Sequence, residues 1–239
     1  MRVGIPYSTV TAIDSTMPLG PTVSVAGELF SDLEDDEVVL NSWTAAQLGV
    51  VPGDLVELTY FVPETTHGQA DEATATFRVR GVADIAEPAE PYQDDQPAVF
   101  RERPTLANDP HLTPEVDGFT DRNSIADWNP PFPFDHRRIK DRDELYWDNY
   151  RATPKAFVSY AAGKKLWGTD RFGTATGYRI PVHTDDSLDQ ISERVLDTLR
   201  QAGLHPGFQF LPVRQQGLQA ATGTTSFSGL FLGFSMFLI

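Results

Sequence analysis

At 239 residues the chain suits one large domain or two small ones, and 40% apolar with 11% aromatic residues excludes disorder throughout. A formal net charge of −15 argues against nucleic acid as a partner, because phosphate binding needs a basic footprint. Cysteine is absent, which excludes a disulfide frame, a thiolate nucleophile and any Cys-based metal site.

In chain order, "MRVGIPYSTVTAID" has no apolar h-region and is not a signal peptide; an export signal, if there is one, lies outside this sequence. Val38 to Leu40 read as a short strand, followed by a brief helix capped by Ser42 and running through Leu48. Gly49 is placed to end it, and Pro52-Gly53 makes a turn. Leu55 to Val62 alternate as a strand with Val56, Leu58 and Tyr60 on one face. "ATATFRVRGV" alternates likewise, with Ala75, Phe77 and Val79 together, and the two runs are expected to pair antiparallel.

From Ala83 to Asp135 the character changes, for this stretch holds 9 of the 18 prolines. Its "DWNPPFPFD" carries aromatics too densely for a disordered linker, so an ordered loop packed on a scaffold is expected. Trp128, Phe132 and Phe134 either form an apolar contact surface for a substrate or partner, or plug the loop into the core. Beyond it "RRIKDRDELYWDNY" reads as helix and "KAFVSY" as strand. "ATGYRIPV", "SLDQISERVLDTLRQAG" and "FQFLPV" read as strand, helix and strand, a right-handed βαβ unit. Ser187 caps that helix, Gly203 ends it, and Leu188, Ile191, Val195 and Leu199 form its apolar stripe.

Charge is uneven: Met1 to Asp135 holds 24 acids against 6 bases, and His136 to Ile239 holds 10 against 13. The mildly basic part adjoins the apolar run from Gly229 to Ile239, which suits an anionic membrane surface and equally a chance distribution of solvated charges. As a helix this run rises roughly 16 Å, about half of a bilayer core, so a buried core helix and a truncated transmembrane helix both fit. An interfacial helix fits poorly, for it lacks a charged opposite face. The steadily apolar character favours the transmembrane reading, and Gly229 and Gly233 have the spacing that lets membrane helices pack closely.

Catalytic signatures are missing from the sequence. There is no "GxxxxGK[ST]", "GxSxG" or "HExxH", and the five histidines, His67, His111, His136, His183 and His205, are scattered through turn-like segments. The clusters "LEDDE" and "KDRDEL" offer paired carboxylates, but without apolar flanks they read as solvated surface, and Asp135-His136 as loop polarity. The expected chain is not an enzyme and takes no cofactor or metal.

"VVLNSWTAAQLGVVPGDLVELTYF" resembles the strand–helix–"LGhxxGD"–strand pattern in extracytoplasmic domains of FtsX-like, MacB-like ABC transporter permeases. "THGQADEATATFRVRGV", "DGFTDRNSIADWNPPFPFD", the run from Tyr146 to Val182 and "FSGLFLGFSMFLI" resemble a bacterial branch of the same family. The resemblance implies an α+β fold, with a β-rich subdomain inserted in a small βαβ-containing α/β subdomain, followed by the start of a transmembrane helix. It divides the chain into a partial α/β segment at 1–35, a β-rich subdomain at 36–170 with its Pro-rich loop at 83–135, an α/β subdomain at 171–222, and a linker and membrane segment at 223–239. It further implies a bacterial inner-membrane permease with residues 1–222 on the periplasmic side. The implied partners are an ABC ATPase, a second permease copy, the bilayer at 229–239, and a lipoprotein, peptide or hydrophobic substrate. A soluble binding module for a hydrophobic ligand or partner is the alternative, and a carboxylate hydrolase is a third.

Overall fold

The computed structural model describes residues 3–14, 30, 32–63, 71–93, 96–169, 173–179 and 187–202. The chain divides into one compact unit at Met1–Ile180 and another at Pro181–Ile239. The fold is mixed α+β.

The first unit is built on a five-stranded sheet. Its strands are β1 (Val10–Ile13), β2 (Glu37–Asn41), β3 (Leu55–Phe61), β4 (Glu72–Ala83) and β7 (Ala156–Ser159), in the spatial order β1-β7-β2-β4-β3. A separate two-stranded ribbon joins β5 (Pro88–Glu90) to β6 (Val99–Phe100). β1 runs parallel to β7 and β2 parallel to β4, while β7–β2 and β4–β3 are antiparallel. The expected hairpin is present as β3 and β4, with Val56 opposite Phe77 and Leu58 opposite Ala75.

Every residue of β2 and β7 is buried, as strands covered on both faces require. Side-chain alternation sends Val39 and Phe157 into one core, with Tyr146 and Tyr150. Val38, Leu40, Ala156 and Val158 enter the other, with Ala45, Phe77 and Val79. Helix α2 (Asp141–Tyr150) packs Tyr146 and Tyr150 on the first face. α1 (Ser42–Leu48) and α3 (Tyr160–Trp167) place Ala45 and Ala162 on the second. Gly163 brings α3 close to β1, because a Cβ there would overlap Ala12.

Local chemistry moves two expected boundaries. The cap of α1 is Asn41, whose Oδ1 accepts from the Thr44 N–H at 2.7 Å. Ser42 is the first helical residue instead, and its hydroxyl accepts from the Ile85 N–H at 3.2 Å. The Asp135 carboxylate starts a separate 3-10 turn at His136–Arg138, so α2 begins only at Asp141. Gly49 ends α1 in the left-handed conformation, as the sequence indicates.

The expected N-terminal segment at 1–35 does not stand apart from the 36–170 elements: β1 hydrogen-bonds to β7 within the one sheet. Beyond β6 the described Pro-rich stretch carries three short 3-10 turns, opened by Thr105, Asp109 and Ser124, and a fourth opened by Asp135 follows it. Each of these side chains accepts from a backbone N–H two residues on, which supplies a partner where proline forbids a longer helix.

In the second unit α4 (Leu188–Gln201) is described. Ser187 and Gln190 cap it reciprocally, and the helix ends at Gln201, two residues before Gly203, with Ala202 as its C-cap. Ile191, Val195 and Leu199 are half-exposed, and Leu188 is 81% exposed. The strand expected at 175–182 is not formed over 173–179, where every residue is exposed and no strand pairs alongside among the described residues. "FQFLPV", Gly203 and the run 229–239 lie outside the described residues. Among the described residues no helix is long and apolar enough to cross a membrane.

Candidate functional site

Helix α2 concentrates the polar and aromatic chemistry of the first unit. Asp143, Tyr146, Trp147 and Tyr150 follow the 3.6-residue period and are all buried. On this face Trp147 meets Phe119 and Trp128, with ring centroids 5.5 and 4.8 Å away. Trp128 also packs edge-on against Phe119 at 4.5 Å and against Phe134 at 5.4 Å.

The loop carrying these rings is latched to α2 by one carboxylate. Glu144 accepts from the Ser124 hydroxyl at 3.2 Å and from the backbone N–H groups of Ile125 and Ala126 at 3.1 and 3.0 Å. Trp147 Nε1 donates to the Arg122 carbonyl, and an Arg151 guanidinium nitrogen donates to that of Asn123. Arg151 takes φ 50, a strained conformation for a non-glycine residue, at the point where the chain leaves α2. Gly118, at φ 77, passes against the Asn129 carbonyl, where a Cβ would collide.

These placements decide the fate of the aromatic trio. Trp128 is 5% exposed and belongs to the core beneath the loop, so it offers no contact surface. For Trp128 this burial favours the plug. Phe132 and Phe134 are half-buried at the edge of the same cluster, against Tyr7 at 6.5 and 4.6 Å. Gly229 and Gly233 lie outside the described residues.

Beneath α2 lies a polar constellation that composition does not reveal. Asn41, fully buried, donates to the Tyr146 hydroxyl at 2.8 Å and to the Pro154 carbonyl at 3.0 Å. Tyr146 in turn donates to the Thr153 carbonyl at 2.9 Å. Burial raises the Tyr146 hydroxyl's pKa well above the usual tyrosine range, partly offset by the Asn41 hydrogen bond. Lys155 is buried too, its Nζ 4.7 Å from the Tyr146 ring and 5.5 Å from that of Trp43. Burial pushes the lysine down to about 8, against the pull of the Asp143 charge. Asp143 Oδ2 accepts from the Lys140 N–H, whereas Oδ1 has no hydrogen bond and stands 4.0 Å from Arg142 Nε.

A cavity of about 10 Å³ lies here, lined among others by Asp143, Tyr146, Lys155, Trp128 and Tyr7. That size admits a single water and no substrate. The buried amine and carboxylate line this cavity, which is too small for a substrate. No group of three or more acids or histidines is placed to hold a metal among the described residues. Asp135 is held down to about 2 by its hydrogen bonds from Arg137, a local turn contact on the exposed surface.

On the outer side of α2 is a wider opening of about 310 Å³, bounded by Ser42 and Trp43 of α1, Ile85 and Glu87, and Leu145, Asn149 and Tyr150. Leu145 is 57% exposed and Glu87 is exposed, while Tyr150 is buried. The Tyr150 hydroxyl is pushed up to about 12, first by burial and then by the charges of Glu87 and Asp84. Asp148 is raised by partial burial and by Glu144 nearby. Lys155, Asp143 and this groove escape sequence reading because their neighbours come from segments about a hundred residues apart; only the 143/146/147/150 spacing signals the buried face.

No family model matches the chain, and no curated protein matches it either.

Proposed function

We propose that the chain is a non-enzymatic extracytoplasmic domain of an FtsX-like, MacB-like ABC transporter permease in a bacterial inner membrane. In this reading a β-rich part is inserted in an α/β part, residues 1–222 face the periplasm, and the uncharged run 229–239 enters the bilayer. Motion driven by a separate ATPase passes through 223–228 into the domain and serves the export or extraction of a lipoprotein, peptide or hydrophobic substrate. A second permease copy completes the assembly.

The observation that carries the reading is the parallel pairing of β1 with β7, in register from Val10 opposite Ala156 to Ile13 opposite Ser159. The N-terminal end of one strand and the C-terminal end of the other lie at opposite ends of this pair. Relative displacement of the flanking chain therefore loads the pair in shear, so its hydrogen bonds resist together and do not unzip singly. Such a sheet passes a displacement on without coming apart, as a coupling element must.

The test is a flexible glycine-serine insertion at Gly223 in the complete transporter. ATP hydrolysis is expected to continue while transport falls to background; normal transport with the insertion refutes the coupling role.

A further inference from the structure

The groove on the outer side of α2 has features that the transporter reading does not use. Its lining combines Trp43, Ile85, Leu145 and Tyr150 with the polar Ser42 and Asn149 and the Glu87 carboxylate, and no lysine or arginine lines it among the described residues. We infer that this groove holds the side chain of a lysine or arginine, presented by an extended segment of a partner polypeptide.

Four observations lead to this occupant. Trp43 and Tyr150 line the opening with aromatic rings, a residue type that attracts cations and packs against a guanidinium. Leu145, more than half exposed beside Ile85, gives an apolar bed for the methylene stem of such a side chain. Glu87 provides the counter-charge, and Asp84 adds to the negative field already felt at the Tyr150 hydroxyl. The opening is at the small end of ligand pockets and is open to solvent, which suits one or two side chains of an extended chain.

The charges that act on the residues lining the groove are acidic. The segment after β4 contributes Asp84 and Glu87, whereas Glu144 of α2 is engaged by residues 124–126 and Arg142 of α2 donates to Gln47 of α1 outside the lining. α1 has no acid in its first turn and no base in its last. The nearby cation Lys155 is buried behind Trp43, is not part of the lining, and has Asp143 as its electrostatic partner. An anionic ligand would meet Glu87 directly, and a purely apolar one would leave that carboxylate partly desolvated without a partner.

The experiment uses the full chain and the acetylated, amidated peptide Gly-Leu-Arg-Leu-Gly, with a citrulline analogue that keeps the shape and loses the charge. Binding is followed by NMR shifts of the Trp43 indole and of the Leu145 and Asn149 amides. The arginine peptide is expected to shift these resonances. Glu87→Gln and the citrulline exchange are each expected to weaken it about fivefold, the scale of one partly exposed ion pair. Leu145→Lys, at an exposed position that leaves the core intact, is expected to abolish it.

The inference is overturned if the citrulline peptide binds equally well, which would mark an apolar site. It is also overturned if Glu87→Gln has no effect, if the shifts map elsewhere, or if neither peptide binds. The Gly223 insertion bears on none of these outcomes, so the two readings fail separately.

Discussion

Replacing Asn41 by alanine tests whether the buried polar interior holds the sheet to α2. Three hydrogen bonds vanish together: the cap to Thr44 at 2.7 Å, the bond to the Tyr146 hydroxyl at 2.8 Å and the bond to the Pro154 carbonyl at 3.0 Å. Loss of the cap costs about 1 kcal/mol. The Pro154 carbonyl is left without this donor in a buried setting, which costs about 1.5 kcal/mol. Tyr146 keeps its bond to the Thr153 carbonyl, so its loss is smaller, about 0.5 kcal/mol. The sum, about 3 kcal/mol, corresponds to a fall of roughly 6–12 °C in Tm for a domain of this size. Urea unfolding of the full chain, read by tryptophan fluorescence and circular dichroism, measures it. Asn41→Ser restores a capping hydroxyl but neither donor, so it should recover only about 1 kcal/mol. A loss below about 1 kcal/mol for the alanine variant, or equal losses for alanine and serine, refutes the assignment of these roles.

Two further predictions concern the same helix. Lys155 titrates at about 8 when folded and at its ordinary 10.5 when unfolded, so the unfolded chain binds more protons between these values. Stability should therefore rise as pH climbs from about 8 toward 10, by an amount on the order of 3 kcal/mol over the whole window, and Lys155→Met should flatten the rise. Above pH 10 the raised Tyr146 and Tyr150 work the other way, because the unfolded tyrosines ionise first. Glu144→Ala removes the acceptor of three hydrogen bonds to residues 124–126. Hydrogen exchange at the Ile125 amide should quicken by at least about tenfold, the equivalent of roughly 1.4 kcal/mol, while amides of β2 and β7 stay protected; unchanged exchange counts against the latch.

Much of the fold is legible in the sequence because its signals are local. The alternation in 55–62 and 73–82 marks the hairpin, Gly49 marks a helix end, and Ser187 with Gln190 marks a helix start. β1 is not legible, since "VTAI" is too short for periodicity to stand out and its partner lies almost 150 residues away. α3 escapes because its glycine and two lysines blur the apolar stripe, though Ser159 caps it directly. For the candidate site, the sequence points to aromatic density around Trp128 but not to its direction. Whether such rings face in or out depends on Trp147 and Phe119, and only the folded chain brings them together. Lys155 stands in the sequence only as the first residue of "KAFVSY"; its burial against Trp43 and Tyr146 depends on the fold.

The place of β7 in the sheet has a consequence for how the chain acquires its shape. This strand sits between β1 and β2, yet it is synthesised after all the other strands of the sheet. Until residue 159 has emerged, β1 has no partner in the sheet and β2 presents an open edge centred on Val38, Val39 and Leu40. Folding must wait for a contact between residues about 146 positions apart, a topology that slows the search and prolongs exposure of aggregation-prone edges. Fragments that stop short of Ser159 should therefore collect in the insoluble fraction, and assembly of this domain during synthesis should depend on protection of the β2 edge until its last strand arrives.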